Sequence, residues 1–191
     1  MARTKKQSIH YVDNKKFLAE IIEYKQVCKE YDKREEIHPP LPDYIGECFM
    51  KIAERLSYRP NFANYAFREE MVADGIENCV QYAYNFNEER SSNPFSYFTQ
   101  IIYYAFVRRI QKEKKQLYIK YKTIQDQSLL SDNIFISDHD GQSFNYETLT
   151  EDQKANMYDF MHNFEKAKKE KTAKAKKSTT NSLAAFITDD K

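Results

Sequence analysis

The side chains able to do chemistry in this sequence are few, and their spacing is wrong for covalent work. Four histidines (His10, His38, His139, His162) and three cysteines (Cys28, Cys48, Cys79) are scattered along 191 residues. None stands at a metal-ligand spacing to another. No glycine-rich phosphate loop is present, and the acidic cluster Asp138-His139-Asp140 falls in a stretch that reads as a surface loop. The expectation is no catalytic residue, no metal and no cofactor, and so not an enzyme. Noncovalent chemistry is better provided for. Phe98, Ile101, Ile102 and Ala105 are followed at once by Arg108, Arg109 and Lys112. Rings that stack on unpaired bases, beside cations that neutralise phosphates, are what recognition of a separated nucleic-acid strand requires.

These residues must be carried on helices. Three Gly and five Pro against 15 Tyr, 13 Phe and 31% charged residues is a composition for helices, not for a turn-rich sandwich. Asp13 or Asn14 can cap a first helix, with Phe17, Leu18, Ile21, Ile22, Cys28 and Tyr31 at helical steps until the prolines at 39, 40 and 42 end it. A second helix aligns Ile45, Phe49, Ile52, Ala53 and Leu56. A third, about residues 66–84, turns Met71, Val72, Ile76, Cys79, Val80 and Ala83 inward and leaves Glu69, Glu70, Asp74, Glu77 and Asn78 outward. Pro94 opens a fourth helix that runs as far as Tyr121. Residues 125–146 read as a long acidic loop, and Thr150-Glu-Asp-Gln153 is a capping box that starts a fifth helix.

At about 100° per residue the fourth helix carries two apolar arcs. Thr99, Tyr103, Phe106, Val107 and Ile110 form one, assigned to the core; Phe98, Ile101, Ile102 and Ala105 form the other, continued by the arginines and Lys112, and assigned to nucleic acid. The same pattern also suits a central helix buried on most sides, its arginines reaching out to water.

The net charge of +1 hides strong segregation. Residues 1–16 carry five basic groups and one acidic, and 108–122 seven and one. Residues 125–152 then carry seven acidic groups and no basic one, and 166–177 seven lysines and one glutamate. Such blocks imply a polyanion met by some surfaces and repelled by others. With no apolar run long enough to span a bilayer, a cytoplasmic, soluble chain without membrane contact is expected.

The segments Glu70-Met-Val-Ala-Asp74-Gly75-Ile, Phe86-Asn-Glu-Glu-Arg90 and Phe95-Ser96-Tyr97-Phe98, with Arg109, resemble the second conserved region of the primary sigma factors of bacterial RNA polymerase. The block from Tyr65 to Ile119 is closer still to the short late-transcription sigma factors of tailed bacteriophages, and Ile45 to Tyr58 resembles that family's region facing the non-template strand. The resemblance covers about residues 40–120. It implies an all-α fold, a small helical bundle of sigma region 2 type, expected over residues 13–122 between a basic tail (1–12) and an acidic loop (123–148). A C-terminal helix (149–165), a Lys-rich linker or solvated helix extension (166–181) and a terminal peptide (182–191) follow.

The resemblance also implies roles. Glu70, Ala73, Asp74, Glu77 and Asn78 fall on the surface that docks on the host polymerase core. Tyr97, Phe98, Ile101, Ile102, Tyr104, Ala105, Arg108, Arg109 and Lys112 fall on the face that recognises and melts a promoter minus-ten element. Two tryptophans of the primary family are Ile101 and Ile102 here, so stacking should lean on Phe98, Tyr97 or Tyr104. A polymerase-contacting Gln is Ala73, which weakens docking. Ser182 to Ile187, anchored by Leu183, Phe186 and Ile187, is similar to the sliding-clamp-binding peptide of phage late sigma factors, with Ala184 in place of the usual acidic residue. The implied protein is a monomer when free, acting in the cytoplasm of an infected bacterium, with a late-transcription coactivator as a further candidate partner. Two other readings share parts of this pattern: a clamp- or DNA-tethered replication accessory protein, and an inhibitor that binds RNA polymerase.

Overall fold

The computed structural model describes residues 11–128, 136–137, 143–144 and 149–188, with backbone alone for 127–128, 136–137, 143–144 and 174–188. The expected N-terminal tail up to residue 10, and most of the expected acidic loop, lie outside the described residues. Five helices account for the fold: α1 (Asn14–Lys33), α2 (Asp43–Ser57), α3 (Arg68–Tyr82), α4 (Pro94–Ser128) and α5 (Glu151–Thr188). Within the expected loop, β1 (Ile136–Ser137) pairs antiparallel with β2 (Ser143–Phe144), Ile136 opposite Phe144. The class is all-α, as the composition and periodicity require. The chain divides into two compact units, Met1–Gln111 and Lys112–Lys191, so the first ends inside α4 and short of the expected boundary at 122.

Helix starts follow local chemistry. Asp13 accepts hydrogen bonds from the Lys15 and Lys16 amides, satisfying donors that α1 cannot pair internally. Asn93 does the same for the Ser96 amide at the head of α4, where Pro94 supplies a preset φ and no amide to satisfy. At α5 the capping box is complete: the Gln153 amide donates to Thr150 Oγ1 and the Thr150 amide donates to Gln153 Oε1.

In the first unit, α1, α2, α3 and the front of α4 enclose one core. Its centre is Phe98, fully buried, with ring centroids 5.7 Å from Phe17 on α1, 4.6 Å from Phe49 on α2 and 6.1 Å from Phe86 in the turn before α4. Ile102 and Phe106, one and two turns on, are equally buried. They sit against Gly75 of α3, where an added Cβ would come within 3.0 Å of both side chains. Any side chain there would require Ile102 and Phe106 to give way by a few tenths of an ångström. All three cysteines are free and buried.

The turn after α3 is pinned from below. Lys25 of α1, itself buried, donates to the Phe86 carbonyl and pairs with the Glu88 carboxylate. Asn87 Oδ1 accepts from the Glu89 and Arg90 amides and closes the turn.

In the second unit the far half of α4 and α5 share a smaller core of Ile124, Met157 and Met161. Tyr118 stacks on Phe164 at 4.7 Å and donates a hydrogen bond to Glu165, and Tyr121 meets Phe160 edge-on. These contacts carry α4 seven residues past its expected end at Tyr121.

Two predictions follow from this packing. Gly75→Ala gains helix propensity of ~1 kcal/mol but overpacks the α3–α4 contact at a cost of ~1–3 kcal/mol. Gly46, whose Cβ would meet nothing within 4 Å, carries only the propensity term. Thermal melts should find Gly46→Ala at or above the wild-type Tm and Gly75→Ala below it. The second concerns acid. The hydrogen bond from Lys25 is the main reason the Glu88 carboxyl is held below its usual value of 4.5. Because the folded pKa is depressed, the stabilisation is present above that value and lost as pH falls through the lower folded one. Glu88→Gln should therefore flatten the acid limb of a stability-against-pH curve below the usual glutamate range.

Candidate nucleic-acid interface

Only part of the anticipated α4 face is open to solvent. Phe98 and Ile102 are fully buried and Ala105 is 2% exposed, so these three are core residues and not a surface for bases. The reason is the partner geometry: the Phe17, Phe49 and Phe86 rings and the Gly75 depression all lie on that side. The arc assigned to the core is split in turn. Phe106 is buried, Thr99, Val107 and Ile110 are half-buried, and Tyr103 is 42% exposed with one edge on Phe62. Val80 of α3, expected inside, is half open to solvent.

The remaining residues build a site of another shape. Tyr97, Ile101, Tyr104 and Arg108 of α4, with Tyr82 of α3, line an open cavity of about 200 Å³. Tyr104 is 51% exposed and Tyr82 45%, and Tyr97 and Ile101 are half-buried. Tyr97 is held in place by Phe86 and Phe98, at 5.3 and 5.0 Å. Burial pushes its phenol pKa up. Periodicity missed Tyr82 because it lies at the last turn of α3, outside the inward stripe, although a large aromatic in an otherwise acidic and polar stretch was the available signal.

The two arginines differ. Arg109 is tied to Asp74 by two contacts, Nε to Oδ2 at 2.8 Å and Nη2 to Oδ1 at 3.2 Å, with 17% of its side chain exposed. Of the two, the Nη2 contact is a hydrogen bond and the Nε contact is ionic, and together they place Arg109 between helices instead of on a phosphate. Arg108 is exposed and donates through Nη2 to the amide oxygen of Asn78 at 2.7 Å. Lys112 is exposed and belongs to the second unit.

The anticipated docking face divides the same way. Glu70, Ala73 and Glu77 are exposed on α3, whereas Asp74 and Asn78 are half-buried and turned toward the α4 arginines. Glu69 and Glu70 stand in the first turn of α3, where the helix dipole favours negative charge. Leu183, Phe186 and Ile187 fall on the helical backbone of α5, and their side chains lie outside the described residues. Among the described residues no group of His, Cys, Asp or Glu can hold a metal, and no helix is long and apolar enough to cross a membrane.

Phe98 and Tyr104 separate core from site in one comparison. Phe98→Ala should lose ~3–5 kcal/mol of stability, a large part of the ~5–15 kcal/mol a domain has. Tyr104→Ala should leave the Tm within a degree or two while weakening binding of single-stranded DNA, measured by melting and fluorescence anisotropy on the same preparations.

No family model matches this chain, and no curated protein matches it.

Proposed function

We propose that this chain is a transcription initiation factor of the sigma class. It binds the core of a host bacterial RNA polymerase in the cytoplasm, recognises and melts a late-promoter minus-ten element, and couples to a DNA sliding clamp through its C-terminal segment. The observation that carries this reading is the cavity of three tyrosines and Ile101 with Arg108 on its rim. It sits on the helix that opens with the sigma-like Phe95-Ser96-Tyr97-Phe98.

The mechanism is binding alone. A base that leaves the duplex stack enters the cavity and exchanges base–base for base–tyrosine stacking, worth ~1–3 kcal/mol per base. This is enough to trap a strand the polymerase has helped to open, and too little to open a duplex unaided. Arg108 neutralises a phosphate of the captured strand. The exposed carboxylates Glu70 and Glu77 repel DNA from their own face of α3 and favour a basic protein surface there, which orients the factor between polymerase and promoter. Stacking leans on Tyr97 and Tyr104, with Phe98 as their support. A late-transcription coactivator fits the same scheme as a third partner.

The test is run-off transcription from a supercoiled template bearing an AT-rich late-type promoter, with host core polymerase. Specific starts should appear with the wild type and fall about tenfold, equivalent to ~1.4 kcal/mol, with Tyr104→Ala or Arg108→Ala. A loaded sliding clamp should stimulate the full chain but not one lacking Leu183 to Ile187. Core binding without initiation would favour a polymerase inhibitor, and no core binding a clamp-tethered replication protein.

A further inference from the structure

We infer that α3 is itself part of the strand-binding site: Tyr82 forms one of its aromatic walls, and Asn78 is a positioning residue that aims Arg108 while leaving its charge free. The inference rests on the reading proposed above and adds two residues to its site.

The geometry of Asn78 is fully committed. Its Nδ2 donates to the Asp74 carbonyl at 2.6 Å and its Oδ1 accepts from Arg108 Nη2 at 2.7 Å. Turning the amide over would set NH₂ against a guanidinium N–H and one oxygen against another, so both bonds fix the orientation. The acceptor therefore always faces Arg108, and holds a long, flexible side chain at the mouth of the cavity it lines. That reduces the side-chain entropy lost when a strand binds.

The neighbouring pair explains why an amide is used. Arg109 meets the carboxylate of Asp74, and its charge is spent inside the protein. Arg108 meets a neutral oxygen, so its orientation is fixed and its positive charge remains for a phosphate. One turn of α3 thus holds two adjacent arginines in opposite electrostatic states. Tyr82, one turn beyond Asn78, completes the wall opposite Tyr97 and Tyr104. With Ile101 contributing only an aliphatic surface, Tyr82 restores a ring to the cavity.

The experiment measures binding of the polymerase-bound protein to a labelled AT-rich single-stranded oligonucleotide across a salt series, with melting temperatures and core affinity recorded for each variant. Arg108→Ala is the reference, expected to lower the magnitude of the log–log salt slope by ~0.7 for one lost contact to a single strand. Asn78→Asp separates positioning from mere packing. It keeps the acceptor toward Arg108 but sets an oxygen against the Asp74 carbonyl, so its Tm falls. It should bind as weakly as Arg108→Ala with the same reduced slope, because the carboxylate neutralises the guanidinium, whereas a packing loss alone would leave the slope unchanged. Tyr82→Ala should weaken binding roughly tenfold with the slope unchanged, and Tyr82→Phe should restore it. Wild-type affinity and slope in Asn78→Asp, together with wild-type affinity in Tyr82→Ala, would overturn the inference while Arg108→Ala still falls. If Arg108→Ala and Tyr104→Ala also bind as wild type, the proposed function is what has failed.

Discussion

The burial of Phe98 is the constraint on which the rest of the first unit depends. Its ring meets aromatic partners from α1, α2 and the turn before α4. Those contacts set the rotation of α4 about its own axis. With Phe98 inward, Ile102 and Phe106 fall on α3, where the missing Cβ of Gly75 gives them room. Tyr97, Ile101, Tyr104 and Arg108 are then carried to one side, where they open toward α3 and solvent. The cavity is thus a by-product of core packing: what the helix cannot bury, it presents.

Much of this was legible from the residues, and the part that was not has a physical cause. Helix starts were readable because a cap is a local event: Asp13, Pro94 and the Thr150–Gln153 pair act on amides within a turn of themselves. The acidic face of α3 and the basic run of α4 were readable as charge. The rotation of α4 was not, since both of its arcs are apolar. The choice is made by rings far away in sequence, Phe17 and Phe49, and by a side chain that Gly75 lacks. The extension of α4 to Ser128 was hidden for a similar reason, because Tyr118 and Tyr121 are explained only by Phe160 and Phe164 of α5. Tyr82 escaped notice because its place in the site comes from a neighbouring helix.

The seam between α3 and α4 joins two surfaces that sequence reasoning kept apart. One side chain of each arginine pair comes from the acidic helix and the other from the basic one. A half-buried ion pair such as Arg109 with Asp74 is costly to break from one side, because the remaining charge is left without its counterpart. Residues 74 and 78 therefore serve the internal register of the two helices before they serve any partner. In the proposed reading, contact with polymerase falls to Glu70, Ala73 and Glu77, which are exposed on α3.

The three buried thiols have a use outside function. Cys28, Cys48 and Cys79 stand one each on α1, α2 and α3, and none is more than 2% exposed. Burial raises the pKa of the Cys48 and Cys79 thiols, so little reactive thiolate exists while the core is closed. A thiol reagent can reach each sulfur only when its own helix opens. The protein thus carries a built-in set of chemical clocks, whose separate labelling rates would report whether the three helices loosen together or one at a time.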